Sequence, residues 1–357
     1  MIARMDTSKK GLWRWMFRLV LALVAAGLLY ALLVEVRARV TVWREQREGY
    51  LRTPNAPHLG RIMVFDPDLI WTLRPGVEHL RVEKMYAGEG NTPVTNPFDV
   101  STNAHGFRGA ELAPDGTRTR ILAVGDSTTF GLEVNDEQAW PAQLQAILNA
   151  GEEGADYEVA NAGVMGYSVL QSLRFLHKRG FDLAPDVVVV TSGNNECDRW
   201  SALPDREKMD LIAKLDPWHV GSVAYQASRA RRIERHAAAT AEEHPRVHLD
   251  VYAETLKAIF AESQRRGVAV IYVLWPWEWQ FDEEPWPWPT PPGPRDYQRV
   301  LRETCAALGA PLVDLEALWR EAPPDYIDCV HVGEPGYRRV AEAVAAAIGK
   351  VMSPSGG

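Results

Sequence analysis

The chain has 357 residues, of which 46% are hydrophobic and 24% charged, an ordinary composition for a globular protein with a substantial core. Its formal net charge of −8 excludes the basic surface that nucleic-acid binding requires. Three cysteines are too few for a disulfide framework, and the sequence lacks zinc-ligand spacing and a phosphate-binding glycine loop. We therefore expect no metal, no cofactor, no nucleic acid partner and no nucleotide hydrolysis.

The N-terminal region is unusually apolar. Sixteen uncharged residues run from Leu19 to Val34, and Leu12 extends the stretch to membrane-spanning length if Arg14 and Arg18 reach the interface. We predict a short tail at 1–11 and an uncleaved transmembrane signal anchor at 12–34. A signal peptide cleaved near Ala26 is the alternative. Basic residues flank both ends, so the positive-inside bias is weak, and we expect the large domain on the extracytoplasmic side, periplasmic or extracellular.

The segments that follow differ in pattern. Charged, helix-compatible residues at 35–59 indicate a stalk, and short turn-broken runs at 60–118 indicate an accessory segment of strands and loops. From 119 to 351 apolar runs alternate with helical periodicity, with a helix-leaning polar insertion at 197–245. A tail at 352–357 is predicted to be disordered.

The main domain is predicted to contain five strands, one in each of the runs "RILAVGDS", "YEVANAGV", "PDVVVVTSGNNE", "VAVIYVLWP" and "PLVDLEAL". Continuous apolar strands separated by helices are typical of a parallel sheet that is covered on both faces. The expected fold class is therefore α/β, with a five-stranded parallel sheet in a three-layer α/β/α sandwich.

Polar residues follow several of these strands, and binding sites in open parallel sheets lie beyond the carboxyl ends of the strands. Ser127 follows the first strand, and Asp328 lies three residues before His331 in the loop before the last helix. His331 could act as a base for a Ser127 nucleophile, with Asp328 holding the imidazole. Candidate oxyanion donors follow the second and third strands, at Gly163, Gly166, Asn194 and Asn195. Taken singly, each of these residues could instead be a turn, cap or surface residue.

Together the motifs resemble those of the SGNH/GDSL hydrolases, an esterase and lipase-like family. Gly125-Asp126-Ser127 matches the first block, Asn161 with Gly166 the second, Gly193-Asn194-Asn195-Glu196 the third, and Asp328 with His331 the last. "NAHGFRG" at 103–109 is similar to a segment that often precedes the first block in membrane-anchored members. The resemblance implies a flavodoxin-like hydrolase fold and a Ser127, Asp328 and His331 triad. It also implies oxyanion donors from the Ser127 and Gly166 N–H groups and the Asn195 side chain.

A loop rich in tryptophan follows the fourth strand, at the same predicted edge. We expect Trp275, Trp277 and Trp279 to contact a sugar; packing within a proline-rich loop and contact with a membrane interface are the alternatives. Trp286 and Trp288 lie further along the loop. Cys197 and Cys329 each adjoin a catalytic block, and they could form a disulfide, although buried free thiols are favoured.

We therefore expect a serine esterase that hydrolyses an ester through an acyl-Ser127 intermediate. The expected substrate is a small ester or an O-acetyl or O-acyl group on a glycan. One alternative is an O-acyltransferase that moves the acyl group to a sugar hydroxyl, with a membrane partner supplying the acyl group. Another is a catalytically silent glycan-binding envelope module. The sequence leaves the acyl chain, the acceptor and the oligomeric state open.

Overall fold

The computed structural model describes residues 7–48, 62–84, 93–151, 156–199, 203–213, 222–225, 228, 244–281 and 292–352. An N-terminal helix, α1, spans Thr7–Glu48. Its segment Leu12–Arg44 is long and apolar enough to cross a membrane: the most apolar 18 residues have a mean hydropathy of 2.5, and none of them is buried. Helix α1 therefore continues without a break through much of the predicted stalk, and residues 49–59 lie outside the described residues.

The part of α1 beyond the predicted span contacts the rest of the chain. The Glu35 carboxylate accepts hydrogen bonds from the Ser222 hydroxyl at 2.8 Å and from the N–H groups of Val223 and Ala224 at 2.8 and 3.2 Å. Val42 packs on Val223, and both side chains are buried. The predicted stalk thus docks at Glu35 and Val42 onto a described piece of the 197–245 insertion.

The accessory segment forms two antiparallel pairs of strands. Strand β1 (Met63–Asp66) pairs with β2 (Ile70–Leu73), and β3 (Leu80–Lys84) pairs with β4 (Pro93–Val100). Their buried side chains join the larger of the two clusters that form the core of the main domain. The segment is therefore packed onto the main domain.

Five parallel strands form the main sheet, as predicted, in the order β6-β5-β7-β8-β9. They are β5 (Thr119–Gly125), β6 (Tyr157–Gly163), β7 (Val187–Ser192), β8 (Ala269–Leu274) and β9 (Leu312–Asp314). All six residues of β7 are buried, because helices cover both faces of the sheet. The predicted fold class is confirmed.

The helices of the main domain in the described part of the chain are α2 (Ser127–Phe130), α3 (Trp140–Gly151), α4 (Val169–Phe175), α5 (Asp205–Ala213), α6 (Leu249–Arg265), α7 (Pro294–Leu308), α8 (Leu315–Trp319) and α9 (Glu334–Met352). A π-helical turn, Leu176–Gly180, continues α4, and single 3₁₀ turns occur at Asp136–Gln138, Phe181–Leu183 and Glu278–Gln280.

Alternate residues of β5 enter opposite layers of the core. Leu122 and Val124 join the cluster that contains α4, α6 and α7, whereas Ile121 and Ala123 join the cluster that contains α3 and α9. This alternation follows from the two-residue period of a strand. Strand β5 therefore lies in the middle layer, and its carboxyl end delivers Ser127 to the edge of the sheet.

Candidate active site

Ser127 is the first residue of α2, which starts where β5 ends. Asp126 caps this helix: its Oδ1 accepts hydrogen bonds from the Thr128 N–H at 2.8 Å and the Thr128 hydroxyl at 2.7 Å. Ser127 is partly exposed, whereas Asp126 and Thr128 on either side are buried. The local fold thus presents only the Ser127 hydroxyl of this turn to solvent, at the N-terminus of α2.

The loop before α9 brings a base to this hydroxyl. His331 Nε2 lies 2.7 Å from Ser127 Oγ, and His331 Nδ1 lies 2.7 Å from Asp328 Oδ2. The other Asp328 oxygen accepts hydrogen bonds from the N–H groups of Val330 and His331 at 2.8 and 2.7 Å. These contacts fix the carboxylate, which holds the imidazole with Nε2 facing Ser127. The arrangement is that of a nucleophile, a base and an orienting carboxylate.

Asp328 stays ionised over a wide pH range. Its burial favours the neutral acid, but the hydrogen bond and the positive charge offered by His331 outweigh burial and lower the pKa of Asp328 to about 2. The Asp328 side chain is 44% exposed, so solvent weakens this interaction. A carboxylate that is already charged can stabilise the imidazolium that forms when His331 accepts a proton.

The loop after β6 carries the two candidate glycines, and they differ in role. The Gly163 N–H donates to Asn161 Oδ1 at 3.1 Å, and a side chain on Gly163 would collide with the backbone of α2 at Phe130. Gly166 has a left-handed φ of +75° and is partly exposed between two buried neighbours. In the described part of the chain, the Gly166 N–H donates no hydrogen bond. Gly163 therefore serves close packing, and Gly166 offers a free donor.

The loop after β7 separates the two asparagines in the same way. Asn194 is buried: its Oδ1 accepts the Trp277 indole N–H at 3.1 Å, so its Nδ2 faces Asp126 Oδ2, at 3.0 Å. Asn195 is partly exposed, and its Nδ2 contacts the Tyr167 carbonyl at 3.0 Å and Asp126 Oδ2 at a longer 3.3 Å. The Asn195 amide can exchange its 3.3 Å contact with Asp126 for another acceptor. In Asn194, by contrast, both the oxygen and the nitrogen of the side-chain amide already have buried partners.

Glu196 joins the second and third loops. Its buried carboxylate accepts hydrogen bonds from the N–H groups of Val169 at 2.8 Å and Gly193 at 2.9 Å. Burial, assisted by the nearby charge of Asp126, raises the pKa of Glu196 to about 7 against the opposing Val169 hydrogen bond. The acidic residue of the third motif thus connects this loop to the start of α4.

The tryptophans occupy a different environment from the one the sequence suggested. Trp275 is 1% exposed, packs edge-on against Trp319, and donates its indole N–H to the Val330 carbonyl at 2.8 Å. Trp277 is 9% exposed and bonded to Asn194. A buried ring has no free face to stack on a sugar, so this expectation is wrong for both residues. Trp279 is partly buried, with the Arg295 guanidinium 5.1 Å from its ring centre. Residues 282–291, with the other two tryptophans, lie outside the described residues.

Arg108, within the "NAHGFRG" segment, has a role that sequence reasoning missed. Its side chain is 1% exposed and forms an ion pair with Asp136 at 2.7 Å. The guanidinium also donates to the carbonyls at the end of α2 and in the following turn: Phe130 at 2.9 Å, Gly131, and Val134 at 2.5 Å. Arg108 therefore fixes the C-terminal end of the helix that begins with Ser127. The sequence signal was only a cation next to a glycine, because the Arg108 partners from Phe130 to Asp136 lie 22 to 28 residues away.

The cysteines near these loops are free thiols: Cys197 is buried and Cys329 is exposed. Neighbouring groups partly desolvate the Cys329 thiol and, together with the adjacent Asp328 charge, raise its pKa to about 11. Neither sulfur takes part in the contacts between Ser127 and His331.

The fold and these motifs define a class of α/β proteins with a serine at the end of the first strand of the sheet. A model of the GDSL-like Lipase/Acylhydrolase family matches residues 123–339, which include every strand-end loop described above. The chain belongs to this family.

Curated relatives are more distant. An acetylxylan esterase of Xylanibacter ruminicola is 25% identical over 249 residues, covering 66% of this chain and 44% of that protein. Esterase TesA of Pseudomonas aeruginosa is 36% identical over 76 residues, covering 21% of this chain and 37% of that protein. The chain thus spans less than half the length of either relative. A crystal structure of a lipase/acylhydrolase from Enterococcus faecalis aligns with 68% of this chain and 100% of its own, at 18% identity and a TM-score of 0.44.

Proposed function

We propose that this protein is a serine esterase that cleaves carboxylic esters through an acyl-Ser127 intermediate. The observation that carries the proposal is the unbroken hydrogen-bonded chain from Asp328 through His331 to Ser127, with 2.7 Å at each step. It supplies the base that a serine hydroxyl needs before it can attack. Membership of a family of lipases and acylhydrolases supports the same reaction.

The reaction has two steps. Ser127 Oγ attacks the ester carbonyl carbon while its proton moves to His331 Nε2, and Asp328 stabilises the imidazolium. The tetrahedral adduct collapses, the carbon–oxygen bond to the alcohol breaks, and the alcohol leaves with the proton from His331. Water then gives a proton to His331 and attacks the acyl carbon, and the acid departs as Ser127 recovers its proton.

The negative charge of each tetrahedral adduct needs hydrogen-bond donors. We assign this role to the N–H groups of Ser127 and Gly166 and to the Asn195 amide. Three features support the assignment: the partly exposed position of each residue between buried neighbours, the Gly166 N–H without a partner in the described part of the chain, and the long contact of Asn195 with Asp126. Donors that are fixed before the reaction stabilise developing charge at little reorganisation cost.

The proposed substrate is an O-acetyl group on a polysaccharide. The similarity to a protein named acetylxylan esterase supports this class, and it covers 66% of the chain. We further propose that residues 119–351 form the hydrolase domain, with 60–118 as an accessory part. Helix α1 would anchor the protein through residues 12–34, with the hydrolase domain on the extracytoplasmic side. The exposed, apolar surface of α1 supports anchoring.

The test uses the full-length protein in detergent micelles. Wild type should release p-nitrophenol from p-nitrophenyl acetate and acetate from acetylated xylan, and Ser127→Ala should lose nearly all of both activities. Ser263→Ala is the matched control, since its buried hydroxyl has no hydrogen-bond partner in the described part of the chain. Activity that survives in Ser127→Ala would refute the assignment of Ser127 as the nucleophile. With an added xylo-oligosaccharide, acetyl transfer that exceeds acetate release would refute hydrolysis in favour of acyl transfer.

A further inference from the structure

The two peptide groups on either side of the Gly166 Cα are both held by side chains from outside the sheet. The carbonyl of Met165 accepts the Trp71 indole N–H at 2.9 Å. The carbonyl of Gly166 accepts a hydrogen bond from Arg246 Nη1 at 2.8 Å. Trp71 lies in β2 of the accessory segment, and Arg246 follows the insertion. Neither residue belongs to a motif at the strand ends.

The Trp71 hydrogen bond determines where the Gly166 N–H points. Met165 C=O and Gly166 N–H belong to the same peptide group, which is planar and trans, so the N–H points opposite to the carbonyl. A carbonyl that is held on Trp71 therefore fixes the N–H on the other side. Because hydrogen bonds polarise one another, the same contact also makes this N–H a stronger donor.

The Arg246 contact holds the following peptide group. The Arg246 side chain is 0% exposed and is clamped by Asp205, with Nε–Oδ1 at 3.1 Å and Nη2–Oδ2 at 2.8 Å. Its Nη2 also donates to Gln171 Oε1 at 3.2 Å. The guanidinium therefore has a fixed position from which Nη1 can hold the Gly166 carbonyl.

These restraints matter because Gly166 has great intrinsic freedom. A glycine in the left-handed region can leave it at little cost, and a loop that changed φ here would turn the N–H away. Trp71 is held in its turn: its carbonyl accepts the Tyr167 hydroxyl at 2.7 Å, and its ring lies edge-on to the Tyr167 ring at 6.1 Å. Hydrogen bonds from Trp71 and from Arg246 thus restrain the turn around Gly166.

We propose that Trp71 and Arg246 are positioning residues that aim the Gly166 N–H at the oxyanion. The proposal rests on the proposed function, since it assigns a purpose to the accessory segment within the same reaction. Neither residue contacts the reacting atoms. Each restrains one peptide group, so that the N–H is oriented before the substrate carbonyl becomes tetrahedral.

The test compares Trp71→Phe with Trp140→Phe in the full-length protein in detergent micelles. Both changes replace a buried indole, but the Trp140 N–H has no hydrogen-bond partner in the described part of the chain. Loss of one neutral hydrogen bond on the donor peptide should lower kcat for p-nitrophenyl acetate about tenfold. KM should change by less than about twofold, because a misaimed oxyanion donor affects the transition state rather than the ground state. Trp140→Phe should leave kcat unchanged.

A second readout separates aiming from general loosening. Phenylboronic acid bonds to a nucleophilic serine as a tetrahedral adduct, with one oxygen in the position of the oxyanion. The affinity for phenylboronic acid should fall in Trp71→Phe by about the same factor as kcat. It should also fall in Arg246→Lys, because a lysine ammonium cannot donate to the Gly166 carbonyl and to both Asp205 oxygens as the guanidinium does. A Trp71→Phe protein that matches Trp140→Phe in kcat and boronate affinity would overturn the inference. A raised KM with unchanged boronate affinity would overturn it as well, since Trp71 would then contact substrate. A wild type that neither hydrolyses the ester nor binds the boronate would overturn the proposed function itself.

Discussion

Replacing Arg108 with lysine should destabilise the protein strongly, although the charge is kept. The guanidinium donates to the carbonyls of Phe130, Gly131 and Val134 and to Asp136 from a side chain that is 1% exposed. A lysine ammonium is a compact point charge, and it cannot reproduce donors that fan out in one plane. We expect at least two buried carbonyls to lose their donor, at about 1–3 kcal/mol each. The free energy of unfolding should therefore fall by about 3 kcal/mol.

Urea unfolding followed by tryptophan fluorescence measures this change. Arg118→Lys is the matched control, because Arg118 pairs with Asp156 at 3.0 Å through side chains that are 42% and 58% exposed. An exposed pair of this kind contributes at most about 1 kcal/mol, so the control should unfold almost like wild type. If Arg108→Lys lost no more stability than Arg118→Lys, the carbonyls at the end of α2 would not depend on Arg108, and the reasoning would fail.

Four further outcomes follow from the site. Ser127→Ala should reduce kcat by about 10⁶ with little change in melting temperature, and a fluorophosphonate should no longer label the protein. Asn195→Ala should lower kcat about 10²–10³-fold, whereas Asn194→Ala should mainly lower the melting temperature, because it leaves a buried indole N–H without its acceptor; the reverse ranking would show that the other asparagine is the donor. Because the pKa of Asp328 is lowered to about 2, its contribution to the free energy of unfolding is complete above about pH 4 and is lost as pH falls through 2. The difference in this free energy between wild type and Asp328→Asn, measured by urea unfolding, should therefore vanish near pH 2. Carbonate washing should leave the chain in membranes, and deletion of residues 12–34 should release it; a mature N-terminus near Gly27 would contradict the anchor.

The sheet and the strand-end motifs could be predicted because their signals are local. Strand β7 begins with four consecutive valines, and a proline and a glycine lie on either side of the strand. A short apolar run bounded in this way is typical of a buried strand in a parallel sheet. Ser127 and His331 are 204 positions apart. Ser127 follows strand β5 of the sheet, and His331 precedes α9, one of the helices that cover the sheet. The topology therefore brings them to one edge without any information about side-chain packing.

Long-range packing is where the prediction failed. Trp275 and Trp277 look like a solvent-facing aromatic loop, but Trp319 and Asn194 supply partners that bury both rings. The charge pattern predicts a separate stalk at 35–59, but charge does not show where a helix ends, and α1 continues to Glu48. The contact of Trp71 with Met165 spans 94 positions and leaves no periodic signal in either segment.

The contact between Glu35 and the insertion determines where a soluble form of the protein can begin. A truncation near residue 45 looks safe, because it removes the apolar stretch and keeps the hydrolase domain. It would also remove Glu35 and Val42, leaving the N–H groups of Val223 and Ala224 without their acceptor and the buried Val223 side chain in water. A truncated protein that starts just before Glu35 keeps this contact, together with about 21 Å of helix on the protein surface, and it should stay in solution where the shorter form aggregates.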